Sequence, residues 1–215
     1  TQWWLHGGAR PGRAAATDRE VLLDPTVECP VDSESELIDA LRRINSERSA
    51  PVTVVVGHHP LESHGEHGAH YPWVQWVFPL VPTPVAAWAW LPIGWIYPLG
   101  RKLVGHPQDL PSPANRAMRE AILGTFSDHS PLIYASGHDH SLEVIRRGAG
   151  RFLLVSGSGS EGHQSAVGRS DSTAFAASDP GFMRVDLLDN GRVRLDVTVV
   201  HPSGKVEEAF RAWLK

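Results

Sequence analysis

Pro51-Val-Thr-Val-Val-Val56 is the stretch that most restricts how this chain can fold. β-branched side chains are stiff and crowd a helix, but they pack well on a pleated surface. A short unbroken apolar run, as opposed to an alternating one, marks a strand buried on both faces, as in a sheet covered by helices. The run ends at Gly57 and passes directly into His58-His59-Pro60. A second stretch, Leu132 to Ser136, reads as another strand and passes into Gly137-His138-Asp139-His140. A strand, a glycine and then histidines, twice over, points to an α/β fold with a site on the loops at the carboxyl ends of its strands.

The remaining elements suit that class. Ser33 and Glu36 have capping-box spacing, and Leu37, Ile38, Leu41 and Ile44 follow at helical intervals, which predicts a helix over 34–48. Ser112-Pro113 opens a second helix, with Met118, Ile122 and Phe126 on its apolar face. Arg151 to Val155 is a third strand. Residues 6–32 and 156–181, rich in small and polar residues, read as loops. Met183 to Leu188, Asp189-Asn-Gly191 and Arg192 to Val200 form a hairpin signal. A short amphipathic helix is expected to close the chain. With 215 residues, 41% apolar and 20% charged, the chain can bury one sizeable core or two small ones. Cys29 is its single cysteine, so no internal disulfide supports the fold. A net charge of −4, with no basic block interleaved with aromatics, gives no reason to expect a nucleic-acid partner.

Residues 71–100 carry no charged side chain but hold six prolines, and five of the eight tryptophans fall among them. A spanning helix needs roughly 20 uninterrupted apolar residues, and each interior proline removes a backbone bond and adds a clash. The 71–105 segment therefore reads as a Pro/Trp-rich insertion, packed on the domain or docking a membrane or another protein through 71–100. The chain opens Thr-Gln-Trp-Trp-Leu, with no initiator Met and no charged-then-apolar leader, and is expected to be a processed or partial chain. Localisation is left open by these features, and a cell-envelope association is compatible with them.

The two histidine motifs carry the chemistry. Neutral imidazole suits Zn, Fe and Mn, and residues two apart in an extended loop can address neighbouring ions, as His138 and His140 could. A lone His-x-His is weak evidence of a metal, but two Gly-His motifs that each cap a strand make a metal site the better reading. Gly157-Ser-Gly-Ser-Glu-Gly162 matches a dinucleotide fingerprint in form only, since no helix pattern follows it, and reads as a turn beside the site. No serine sits in a nucleophile-elbow pattern.

The succession Gly57-His58-His59-Pro60, Glu66-His67-Gly68 and Gly137-His138-Asp139-His140 resembles the later motifs of the calcineurin-like metallophosphoesterases, nearest the purple-acid-phosphatase branch. Thr1 to Leu5, the Pro-rich aromatic insertion and Ile93-Gly94-Trp95-Ile96-Tyr97-Pro98 are similar to some bacterial members. The resemblance extends from Thr1 to about Ser160. It implies part of a four-layer α/β/β/α sandwich with a mixed sheet, and a metal-dependent phosphoric ester hydrolase with two divalent or trivalent ions (Fe, Mn or Zn). By the resemblance, His58 and His138 are ligands of the second ion and His140 of the first, while His67 contacts substrate phosphate or protonates the leaving group. It assigns no ligand role to His59, His64 or His70; the last two are expected to be solvated loop residues. The family's early Asp-x-His, Gly-Asp and Gly-Asn-His motifs do not occur in this sequence. The resemblance thus implies the carboxy-terminal portion of a phosphoesterase domain over 1–215, with half of the metal site and a phosphate-ester substrate. Two rivals stand beside it: a non-catalytic module that docks a membrane or partner with vestigial histidines, and a single-metal binding protein using His58 and His138.

Overall fold

The computed structural model describes residues 2–5, 33–47, 52–68, 99, 106–126, 131–148, 150–159 and 164–215. The 6–32 loop, His70, residues 160–162 of the glycine-rich stretch and, Leu99 aside, the 71–105 insertion lie outside the described residues. In chain order the elements are α1 (Gln2–Leu5), α2 (Glu34–Glu47), β1 (Val54–Val56), α3 (Pro113–Gly124), β2 (Ile133–Ser136), β3 (Leu142–Arg147), β4 (Arg151–Ser156), β5 (Thr173–Ala177), β6 (Gly181–Leu187), β7 (Val193–Val200) and β8 (Val206–Trp213).

Two sheets result. The first is mixed, in the order β1-β2-β4-β3-β5, with β1, β2 and β4 mutually parallel and β3 antiparallel to both β4 and β5. The second, β6-β7-β8, is antiparallel throughout. Because successive strand residues point to opposite faces, the first sheet feeds two cores. Ile133, Leu142, Val144, Phe152 and Leu154 meet Val193, Leu195, Val197 and Val199 of the second sheet. Tyr134, Ile145 and Leu153 point the other way, against Leu5, Ile38, Met118, Ile122 and Phe126 of the helical side. The described chain is therefore an α/β structure of three layers, helices on sheet on sheet.

Both helix starts follow their sequence signals. The Ser33 hydroxyl accepts the Glu36 amide at 3.2 Å, and that of Ser112 accepts the Asn115 amide at 3.2 Å, with Pro113 at the first helical position. In α2, however, Ile44 is 64% exposed while Asn45 is buried, its amide donating to the Thr125 carbonyl at 2.8 Å. The face that meets α3 runs through Ile38, Leu41 and Asn45, and a polar residue that donates one hydrogen bond takes the place expected of an aliphatic one.

Three other expectations are corrected. The valine run forms a strand over 54–56, but it is not buried on both faces: it is the edge of its sheet, and Val54 and Val56 are 43% and 78% exposed. Residues 156–181 are not one loop, since Thr173–Ala177 pairs with β3. The closing helix is instead β8, where Phe210 and Ala212 pack on the inter-sheet core opposite β7 and Arg211 points away. The helix-forming Glu and Ala of that segment are overridden by an edge of β7 that offers backbone partners and a half-buried face. The hairpin is as expected, with Gly191 at φ +78° in its turn.

Candidate metal centre

β1 and β2 run parallel and in register, so both end at the same margin of the sheet. The ladder continues past their ends: the Gly57 amide donates to the Ala135 carbonyl at 3.0 Å and the Gly137 amide to the His58 carbonyl at 3.1 Å. Two loops that are 80 residues apart in sequence are thereby clamped side by side, which brings His138 Nδ1 within 3.2 Å of His58 Nε2. His138 adopts φ +66°, a left-handed conformation that non-glycine residues seldom occupy and that is found at functional turns. Gly157 makes room for this turn, since a Cβ there would fall 2.0 Å from the Asp139 carbonyl oxygen. The glycine-rich stretch thus begins against the histidine turn.

His59 joins the pair. One ligand atom from each of His58, His59 and His138 can be chosen so that all three lie within 4.8 Å of one another. Ring centroids are 4.2 Å apart for His59 and His138, and 5.1 Å for His58 and His138. His58 is exposed, His138 half-buried, and His59 has no exposed surface. The Tyr134 hydroxyl donates to the His59 carbonyl at 3.0 Å, tying the loop to β2, and burial pushes the tyrosine pKa up. Burial, reinforced by the neighbouring His67, His59 and His58, lowers the His138 pKa to about 3, so its ring is neutral at physiological pH and keeps a lone pair for coordination.

This group fits a transition ion. Tetrahedral coordination with metal–nitrogen bonds of about 2.0 Å places ligand nitrogens roughly 3.3 Å apart, close to the separation of the His58–His138 pair. Nε2 of His138 is buried with no hydrogen-bond partner among the described residues, as is Oδ2 of the fully buried Asp139. With Nδ1 of His138 facing His58, Nε2 is the protonated nitrogen of the neutral ring, so these buried atoms ask for an ordered water outside the three-histidine group.

His67 stacks on His138, with ring centroids 4.0 Å apart. Its backbone amide donates to Asp139 Oδ1 at 3.0 Å, and its Nδ1 donates to Asp109 Oδ1 at 2.8 Å. Asp109 is almost wholly buried; its second oxygen accepts the His106 amide at 3.1 Å, and the next residue, Leu110, donates its amide to the His67 carbonyl at 2.9 Å. A carboxylate can only accept, so this bond places a proton on Nδ1, and acid–base chemistry by this ring falls to Nε2. Asp109 was not legible as a functional residue: it precedes a helix cap without a motif of its own.

The other histidines separate. His64 is no solvated loop residue: its Nδ1 donates to the buried Glu143 Oε2 at 3.0 Å, and its side chain is 18% exposed. His140 is half-buried, its carbonyl accepts the Ser165 amide at 2.9 Å, and it does not belong to the three-histidine group. Thus the structure brings His58, His59, His138 and His67 together, while His140 lies outside the three-histidine group.

No family model and no curated protein matches the chain. Among solved structures, GAP50, the anchor in the inner membrane complex of Plasmodium, is similar over 83% of this chain and 40% of its own, with a TM-score of 0.51 and 20% identity. Two crystal structures of mutant Vps29 from Entamoeba histolytica share 21% and 22% identity over 44% of this chain and 46% of theirs, each with a TM-score of 0.29. The GAP50 likeness is one of fold, and this chain spans less than half of that protein's length.

Proposed function

We propose that this chain carries the carboxy-terminal share of a metal-dependent phosphoesterase centre, set in the three described layers of what would be a four-layer α/β/β/α domain. The observation that supports the reading is the convergence of three imidazoles, one of them held neutral, at the carboxyl margin of parallel strands, with a carboxylate-oriented His67 stacked against them. His58, His59 and His138 would hold one ion. His140 would serve a second, whose remaining ligands this sequence does not contain. Bound there, Zn, Fe or Mn ions would act as Lewis acids that neutralise charge developing on phosphoryl oxygens.

The chain's own residues have separable tasks. Asp109 orients the His67 ring so that, when the ring is doubly protonated, its Nε2–H can donate to a phosphoryl oxygen or pass its proton to the leaving alkoxide, while the Nδ1–H stays on Asp109. Asp139 fixes the His67 backbone, so that the ring stays beside the ligands instead of swinging into solvent. A phosphate ester is the substrate class that suits this arrangement. The test is hydrolysis of p-nitrophenyl phosphate by an upstream-extended form, with and without His138→Ala. Activity lost together with metal supports the reading, and activity untouched by the substitution refutes it. The docking alternative has one point in its favour, namely that GAP50 is described as an anchor. Vesicle binding that disappears when Trp88, Trp90 and Trp95 are replaced, without any metal uptake, would favour it.

A further inference from the structure

Glu143 stands on β3, outside both histidine loops, and is completely buried. A buried carboxylate is tolerated when donors meet its lone pairs, and here four donors do so. Oε1 accepts the Ser63 hydroxyl at 2.8 Å and the Ser141 hydroxyl at 2.9 Å. Oε2 accepts the His64 amide at 2.8 Å and its ring Nδ1 at 3.0 Å. Ser63 and His64 belong to the loop that carries His58 and His59, while Ser141 closes the loop that carries His138. The Ser63 hydroxyl also accepts the Gly65 amide at 2.9 Å, which extends the hold to the turn leading into His67.

Among the described residues the backbone ladder clamps these loops at their roots, at Gly57 and Gly137, and the His67 amide joins them again at Asp139 Oδ1. Beyond those roots Glu143 supplies a fixed polar link between them. We propose that Glu143 is a positioning residue for the metal centre: by clasping Ser63 and His64 from one loop and Ser141 from the other, it sets the spacing at which His58, His59 and His138 meet. This rests on the reading of those histidines as metal ligands. Polar groups that orient ligands from outside the coordination sphere typically govern metal affinity by about 10–100-fold.

Titration of the whole chain with Co(II), followed through its visible ligand-field bands, tests the assignment. Glu143→Ala is expected to weaken Co(II) binding by at least about tenfold and to alter the bands. Glu143→Gln keeps the shape and both polar ends, and should restore affinity to within a few-fold of wild type. Should Glu143→Ala fail to fold, the pair Ser63→Ala and Ser141→Ala removes one donor from each loop and must weaken binding while the far-ultraviolet circular dichroism is unchanged. Wild-type affinity and bands in the folded alanine variants would overturn the role of Glu143 and leave the metal centre standing. A wild-type chain that takes up no Co(II) would overturn the metal reading, and the inference with it.

Discussion

The two ends of this molecule use polar side chains in opposite ways. On the outer face of the second sheet, Asp196 lies at the centre of a lattice: Arg184 at 2.7 Å, Arg211 at 2.7 Å and Arg194 at 3.2 Å converge on it. Asp186 pairs with Arg184 and Arg194, and Glu208 pairs with Arg211. Arg184, Asp186, Arg194, Asp196 and Arg211 each face an opposite charge across neighbouring strands, as cross-strand pairing favours. At the margin of the first sheet the arrangement is reversed. Four imidazoles crowd together, one is depressed by burial and by like neighbours, and buried atoms of His138 and Asp139 lack protein partners among the described residues. The first pattern sets charge against opposite charge, whereas the second gathers like groups in a buried setting. That contrast, more than the presence of histidines, locates the chemistry.

The largest effect should come from the histidine end. His138→Ala is expected to reduce transition-metal affinity by more than the roughly 100-fold that loss of an outer partner can cost, with little change in thermal midpoint in the absence of metal, as read by isothermal titration and circular dichroism. In an upstream-extended, active form, His67→Ala should lower kcat by about 10²–10⁴-fold, the range of a general acid, with metal content intact. Asp109→Asn should fall in the same direction by less, because the ring remains but its tautomer is no longer fixed. Equal metal loss in all three variants would break the separation drawn between ligands and proton donor.

Smaller effects belong to the structural end. Leu195→Ala, at a fully buried site between the sheets, should cost about 2–5 kcal/mol in denaturant unfolding without changing metal stoichiometry. The smallest is an acid effect. The Arg211 hydrogen bond, followed by that of Arg184, holds the Asp196 carboxyl below its ordinary value of 3.8. Its contribution to stability is therefore fully present above that value and lost as pH falls through the folded pKa. The stability difference between wild type and Asp196→Asn should shrink as pH drops below 3.8, and a difference that grows there would contradict the pairing.

How much of this was legible beforehand depended on whether a signal was local. Helix caps at Ser33 and Ser112, the Asp189-Asn-Gly191 turn, and a glycine followed by histidine after each strand are all set by neighbouring residues, and each led to the right element. What failed depended on distant partners. The exposure of Val54 and Val56 follows from β1 being an edge, which no run of valines reveals. β8 is a strand because β7 offers it an edge, and β5 because β3 does. The candidate site residues follow the same rule: His58, His67 and His138 were visible in motifs, whereas Asp109 and Glu143 pair across 42 and 79 or 80 residues of sequence separation. His59 was visible but unassigned, since only the fold shows that its ring turns inward beside His138.

Metal content per folded chain, by elemental analysis after incubation with Zn, Mn or Fe and removal of excess ion, tests the central claim most directly. Wild type should retain one ion or more, and His138→Ala should retain none at that position while keeping its secondary structure. A wild-type chain that leaves the column free of metal, or a His138→Ala chain that holds as much as wild type, would contradict it.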